Sequence, residues 1–130
     1  MLKYTRIWAS VGWILVLLVV YLSLVPNPPA PVTFDHADKL EHALAYAALS
    51  FWFCQLYGRL RVIVALAGLG IALEYVQGWT GYRSFDVLDM LADGVGVLSG
   101  SVLAMTPLGQ LLCCIERRDK LNRNGNRNDD

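Results

Sequence analysis

Residues 7–25, 40–57, 62–77 and 87–105 are apolar almost without interruption. Residues 62–73 carry no polar side chain, and Glu74 ends that run. None of the four stretches shows the wide polar face of a helix in a soluble bundle. A helix that crosses a bilayer needs about 20 mostly apolar residues, within a range of about 17–25. The first and fourth stretches meet this; the second and third do so only if Glu41, His42, Glu74 and Gln77 are counted. The pattern predicts an all-α fold, a four-transmembrane-helix bundle with spans at about 5–25, 40–57, 61–79 and 86–106. These make one domain over residues 1–106, followed at 107–130 by a basic and polar tail that is partly disordered.

Local signals set the boundaries. The prolines of residues 26–31 end the first helix, because proline lacks an N–H and disfavours helical geometry in the residue before it. They predict a stiff, extended linker. Asp35 or Asp38 is placed to cap the second helix. The short turn at 58–61 makes the second and third helices antiparallel neighbours. Ala65, Ala67, Gly68, Gly70 and Ala72 keep the third helix slim, and Gly96, Gly100 and Ala104 give the fourth a small-residue packing face. Residues 108–115 are expected along the inner interface, and the polar ending 122–130 to be disordered.

Composition fits a membrane protein: 55% of 130 residues are hydrophobic, too many for an ordinary soluble domain. Net charge is zero, but nine of the eleven basic residues lie on one side of the four-helix topology, leaving only Lys39 and Arg83 on the other. Basic loops stay in the cytoplasm, so both termini are expected there. The basic tail then calls for no nucleic-acid partner. The first apolar stretch, about 19 residues, exceeds the 7–15 of a secretory signal, so an uncleaved span is expected. Cys54, Cys113 and Cys114 lack metal-site spacing and read as structural.

The informative stretch is 74–93, which carries Glu74, Gln77, Arg83, Asp86, Asp89 and Asp93 between two apolar segments. Ionisable groups in spanning segments are costly and point to function. Asp86, Asp89 and Asp93 share one helix face, continued by Gly96 and Gly100; Lys39, His42 and Tyr46 share another, continued by Leu49 and Phe53. Glu74 and Gln77 lie one turn apart. The topology brings Asp38, Lys39, His42, Tyr46, Glu74, Gln77, Arg83, Asp86, Asp89 and Asp93 to the outer half of the bundle as a polar pocket. Seven acidic residues face few cations there, so some must be protonated, paired, or holding a cation.

These motifs resemble the VanZ-like family of small bacterial integral membrane proteins. The family pattern is an Asp-Lys-x-x-His-x-x-x-Tyr opening, met by Asp38, Lys39, His42 and Tyr46. It continues with Glu-x-x-Gln at Glu74 and Gln77, then Arg83 and Asp86. It closes on Asp-x-x-x-Asn-x-x-Gly-x-x-x-Gly at Asp89, Asp93, Gly96 and Gly100. Asp93 departs from the usual Asn and adds a potential negative charge. The resemblance spans about residues 5–106. It implies a four-span protein related to glycopeptide (teicoplanin) resistance proteins, in a bacterial cytoplasmic (inner) membrane. An acyl-CoA reaction associated with some relatives would need a cytoplasmic site, whereas this cluster faces outward.

Three functions are carried forward. The first is binding of an envelope lipid or lipid-linked cell-wall precursor head group, with Arg83 and Lys39 meeting its anionic part. The second is a membrane hydrolase or transferase with Glu74 or His42 as acid/base. The third is a proton-coupled carrier, which four spans supply only as a homo-oligomer. No organic cofactor is expected; a metal ion is an alternative, with His42, Glu74, Asp89 and Asp93 as candidate ligands. Each has a plainer role: His42 bonded to Glu74 or Asp38, Glu74 paired with Arg83, Asp86 capping a helix, Asp89 and Asp93 near a positive helix end.

Overall fold

The computed structural model describes residues 3–26, 37–81 and 85–125. All regular structure among them is helical: α1 (Thr5–Leu24), α2 (Ala37–Cys54), α3 (Arg59–Thr80), α4 (Val87–Leu103), a 3₁₀ turn (Pro107–Gln110) and α5 (Leu111–Gly125). The all-α expectation therefore holds. The 26–31 linker, Asp35, His36 and Arg83 fall largely or wholly outside the described residues.

Each helix ends for a local reason. At Val25 the chain turns extended (φ −72°, ψ 136°), as a residue preceding proline favours. α3 closes on Gly81 at φ 76°, a left-handed conformation that costs glycine little. Asp86 caps α4, its Oδ1 accepting from Leu88 N–H at 2.8 Å. After Thr106, Pro107 opens the 3₁₀ turn, so α4 stops at Leu103, short of the expected 106.

Among the described residues two helices, α1 and α3, are long and apolar enough to cross a membrane; α4 with the following helical segment makes a third only if that pair, bent by 74°, counts as one span. At 17 residues α4 is short by itself, and Asp38, Lys39 and Glu41 crowd the start of α2.

Packing centres on α2. Its stripe of Tyr46, Leu49 and Phe53 is buried against Val16 of α1, Val62 and Leu66 of α3 and Val97 of α4. The 58–61 turn does bring α2 beside α3, but α2 makes its most extensive contact with α4. Gly96 lies directly on the carbonyl of Ala43, and Gly100 on that of Ala47. Small residues on both helices let the backbones meet. Ser50 Oγ then donates to the Val97 carbonyl at 2.7 Å.

The tail differs from expectation: α5 continues as helix through Gly125, where disorder was expected from 122. Leu112 is buried, and its N–H donates to Gln55 Oε1 at 3.2 Å. α1 has neither a side-chain cap of its own nor an acidic residue in its first turn. Glu116 of α5 serves instead, accepting from Lys3 N–H at 2.6 Å, Tyr4 N–H at 2.9 Å and Trp8 Nε1 at 2.9 Å. A carboxylate here satisfies free donors and suits the positive helix end.

Desolvation pushes the Glu116 carboxyl up, but the backbone N–H groups of Lys3 and Tyr4 and the Trp8 indole outweigh it and hold it below the usual glutamate range. A carboxylate depressed in the folded state adds stability that is fully present above its unfolded value, near 4.3, and lost as pH falls through the folded one. The α5 contact is therefore expected to loosen as pH falls through that lowered value, read as a change in Trp8 fluorescence. Glu116→Gln should abolish that transition.

Candidate functional site

α2, α3 and α4 converge where the bundle is otherwise apolar. Glu74, Gln77, Asp89 and Asp93 are all buried there, Glu74 to 1% exposure, beside buried Tyr46. α2 contributes Lys39 and His42. Lys39 Nζ donates to Asp86 Oδ2 at 2.8 Å, Asp89 Oδ1 at 2.9 Å and Asp38 Oδ2 at 3.3 Å. One turn further, His42 Nδ1 lies 2.9 Å from Asp93 Oδ1. α3 contributes Glu74, whose Oε2 accepts from the Asp86 N–H at 3.1 Å.

Most of the expected constellation is thus assembled, with three exceptions. Gln77 turns toward α1, donating to the Ser23 carbonyl at 2.8 Å, and ties two helices together. Asp38 sits half exposed at the rim. Arg83 is not among the described residues. Lys39 is not free to meet an anionic ligand, since three carboxylates already claim its ammonium. That correction shifts the chemistry of the site from anions toward cations and hydrogen-bond donors.

Three buried side-chain atoms make no hydrogen bond among the described residues: Glu74 Oε1 and the Tyr46 hydroxyl at this site, and Glu41 Oε1 on α2. Leaving such a group unsatisfied costs about 1–3 kcal/mol. His42, Glu74 and Asp89 each offer a ligand atom, all within 4.8 Å of one another, so these three could hold a metal ion. Asp93, the fourth candidate ligand, is engaged with the imidazole Nδ1.

Gly70 is a site residue not singled out by the sequence. A Cβ there would lie 2.7 Å from Asp93 Oδ2 and 3.2 Å from Asp93 Cβ. It stands one turn from Glu74 and leaves room for a carboxylate of the facing helix. Glycine to alanine within a helix ordinarily gains about 0.5–1 kcal/mol. Gly68→Ala, with nothing within 4 Å of the added Cβ, should show that gain. Gly70→Ala should instead cost about 1–3 kcal/mol and displace Asp93 from His42. Thermal unfolding of the pair in one detergent checks the opposite signs.

No family model matches the chain, and no solved structure does. An uncharacterised protein of the fission yeast Schizosaccharomyces pombe is 29% identical over 90 residues, covering 64% of this chain and 53% of the relative. The chain thus spans about half the length of the relative it matches. That relative is eukaryotic, which corrects the expectation of a bacterial cytoplasmic (inner) membrane. Charge asymmetry and segment length are the same physics in any membrane; only the family resemblance carried the bacterial assignment.

Proposed function

We propose that the chain is a membrane-embedded binding protein of VanZ-like arrangement. In this reading α1 to α4 lie within the bilayer as four spans, and both termini face the cytoplasm. The pocket between α2, α3 and α4 takes the polar head group of a membrane lipid or lipid-linked precursor. One observation carries this: the molecule buries a cluster of polar and acidic side chains while much of its outer surface is apolar. Glu74, Gln77, Asp89 and Asp93 are buried, while Leu17, Ile71, Leu91, Val95, Leu98 and Val102 are exposed. In water, so extensive an apolar surface would be covered by a partner; in lipid it is the solvated face.

The orphaned Glu74 oxygen favours a ligand rich in hydrogen-bond donors, such as hydroxyl or amino groups, over a bare phosphate. A membrane hydrolase or transferase is the second candidate, favoured by the His42–Asp93 pair, in which a carboxylate orients an imidazole able to move a proton. Lipid mass spectrometry of gently solubilised protein tests the binding function. One lipid class should be enriched over bulk membrane in the wild type and lost in Glu74→Gln. Profiles matching bulk membrane in both would contradict it.

A further inference from the structure

We infer that His42, Glu74 and Asp89 form a site for one divalent transition-metal ion, zinc by its donor set, with Asp93 positioning the imidazole. One nitrogen and two carboxylates make three protein ligands, the number found at zinc sites that keep a fourth position open. Their ligand atoms lie within 4.8 Å of one another. Ligands around a tetrahedral zinc ion are about 3.4 Å apart, so ligand atoms at that limit need to close by about 1.4 Å, within reach of side-chain rotation.

The polar accounting points to a cation as well. Glu74 Oε2 is held by the Asp86 N–H, whereas Oε1 is buried without a hydrogen-bond partner among the described residues. A carboxylate oxygen only accepts, so it calls for a cation or a donor. Lys39 reaches Asp89 and Asp86, but no hydrogen bond or ion pair joins it to Glu74 or Asp93. Buried carboxylates in this number are stable when paired or coordinated to metal.

Asp93 completes the arrangement. It takes the Nδ1 side of His42 at 2.9 Å, leaving Nε2 as the ligating nitrogen. A carboxylate behind a metal-bound histidine fixes its tautomer and orientation, and losing one typically weakens metal affinity 10–100-fold. Gly70 supplies the room in which Asp93 does this. The metal site rests on the head-group function only for what fills the fourth position.

The test uses the full chain in detergent, stripped with chelator and dialysed against zinc or cobalt chloride. The wild type should retain one metal ion per chain, and Glu74→Gln and Asp89→Asn should lose it. Asp93→Asn should still bind, with affinity lowered roughly 10–100-fold. Cys113→Ser/Cys114→Ser should bind as the wild type does, which separates the site from the two exposed thiols. If the carboxylate variants fail to fold, the cobalt spectrum of the wild type decides. A tetrahedral band without thiolate charge transfer supports the site. No stoichiometric metal in the wild type, or metal that follows the two cysteines, overturns it. The lipid result is independent, so either proposal can fail alone.

Discussion

Replacing Lys39 by methionine is expected to destabilise the fold by about 2–3 kcal/mol, a large effect for a side chain near a helix end. Its ammonium lies 2.8 Å from Asp86, 2.9 Å from Asp89 and 3.3 Å from Asp38. Asp89 is buried, and the neighbouring interior holds Glu74 and Asp93 as well. Breaking a buried ion pair from one side costs about 3–5 kcal/mol because the remaining charge has no partner. The Lys39 and Asp86 side chains are 21% and 36% exposed, so water recovers part of that. Lys39→Arg keeps the charge and should retain most of the stability. Denaturant unfolding of both variants in one detergent checks the prediction; a Lys39→Met loss under about 0.5 kcal/mol would place the carboxylates apart.

Valine at Gly96 or Gly100 should be at least as damaging, costing about 3 kcal/mol or more. A Cβ at either position runs into a backbone carbonyl, Ala43 or Ala47 respectively, and neither can rotate aside. The helices must separate, and the Ser50–Val97 hydrogen bond goes with the seam. His42 adjoins Ala43 and Asp93 lies one turn from Gly96, so the same seam sets the register of the imidazole–carboxylate pair. Gly96→Val should therefore lower both stability and ligand retention. Gly94 faces open space, and Gly94→Ala should leave both unharmed. Equal effects at 94 and 96 would mean that the seam does not hold α2 to α4.

Much of this was legible in the chain because helical spacing is a strict ruler. Lys39, His42 and Tyr46 share a face by their spacing, as do Asp89, Asp93, Gly96 and Gly100, and alternating up-and-down order sets α2 and α4 parallel, which brings the two faces to one level. Which side chain meets which was not legible. Nothing local distinguishes Lys39 as an anion receptor from Lys39 locked by three carboxylates; that depends on how closely α2 approaches α4. Gly70 read as one more small residue in a slim helix, since its purpose lies in Asp93, 23 positions further on. Nothing in the basic and polar composition of the tail marks Glu116. Its role depends on α5 folding back to the start of α1, a long-range contact with no periodic signature. Gln77, grouped with the pocket by its spacing from Glu74, instead reaches the end of α1.

The central claim is that Glu74, His42 and Asp89 meet in one interior cluster between α2, α3 and α4. Mercury or short-reagent cross-linking of cysteine pairs in membranes tests it most directly, in a background with Cys54, Cys113 and Cys114 changed to serine. Pairs at 74/89 and 42/89 should cross-link efficiently, and a pair at 71/89 should not, since Ile71 lies exposed on α3. Efficient cross-linking at 71/89 with none at 74/89 would turn Glu74 outward and contradict the site.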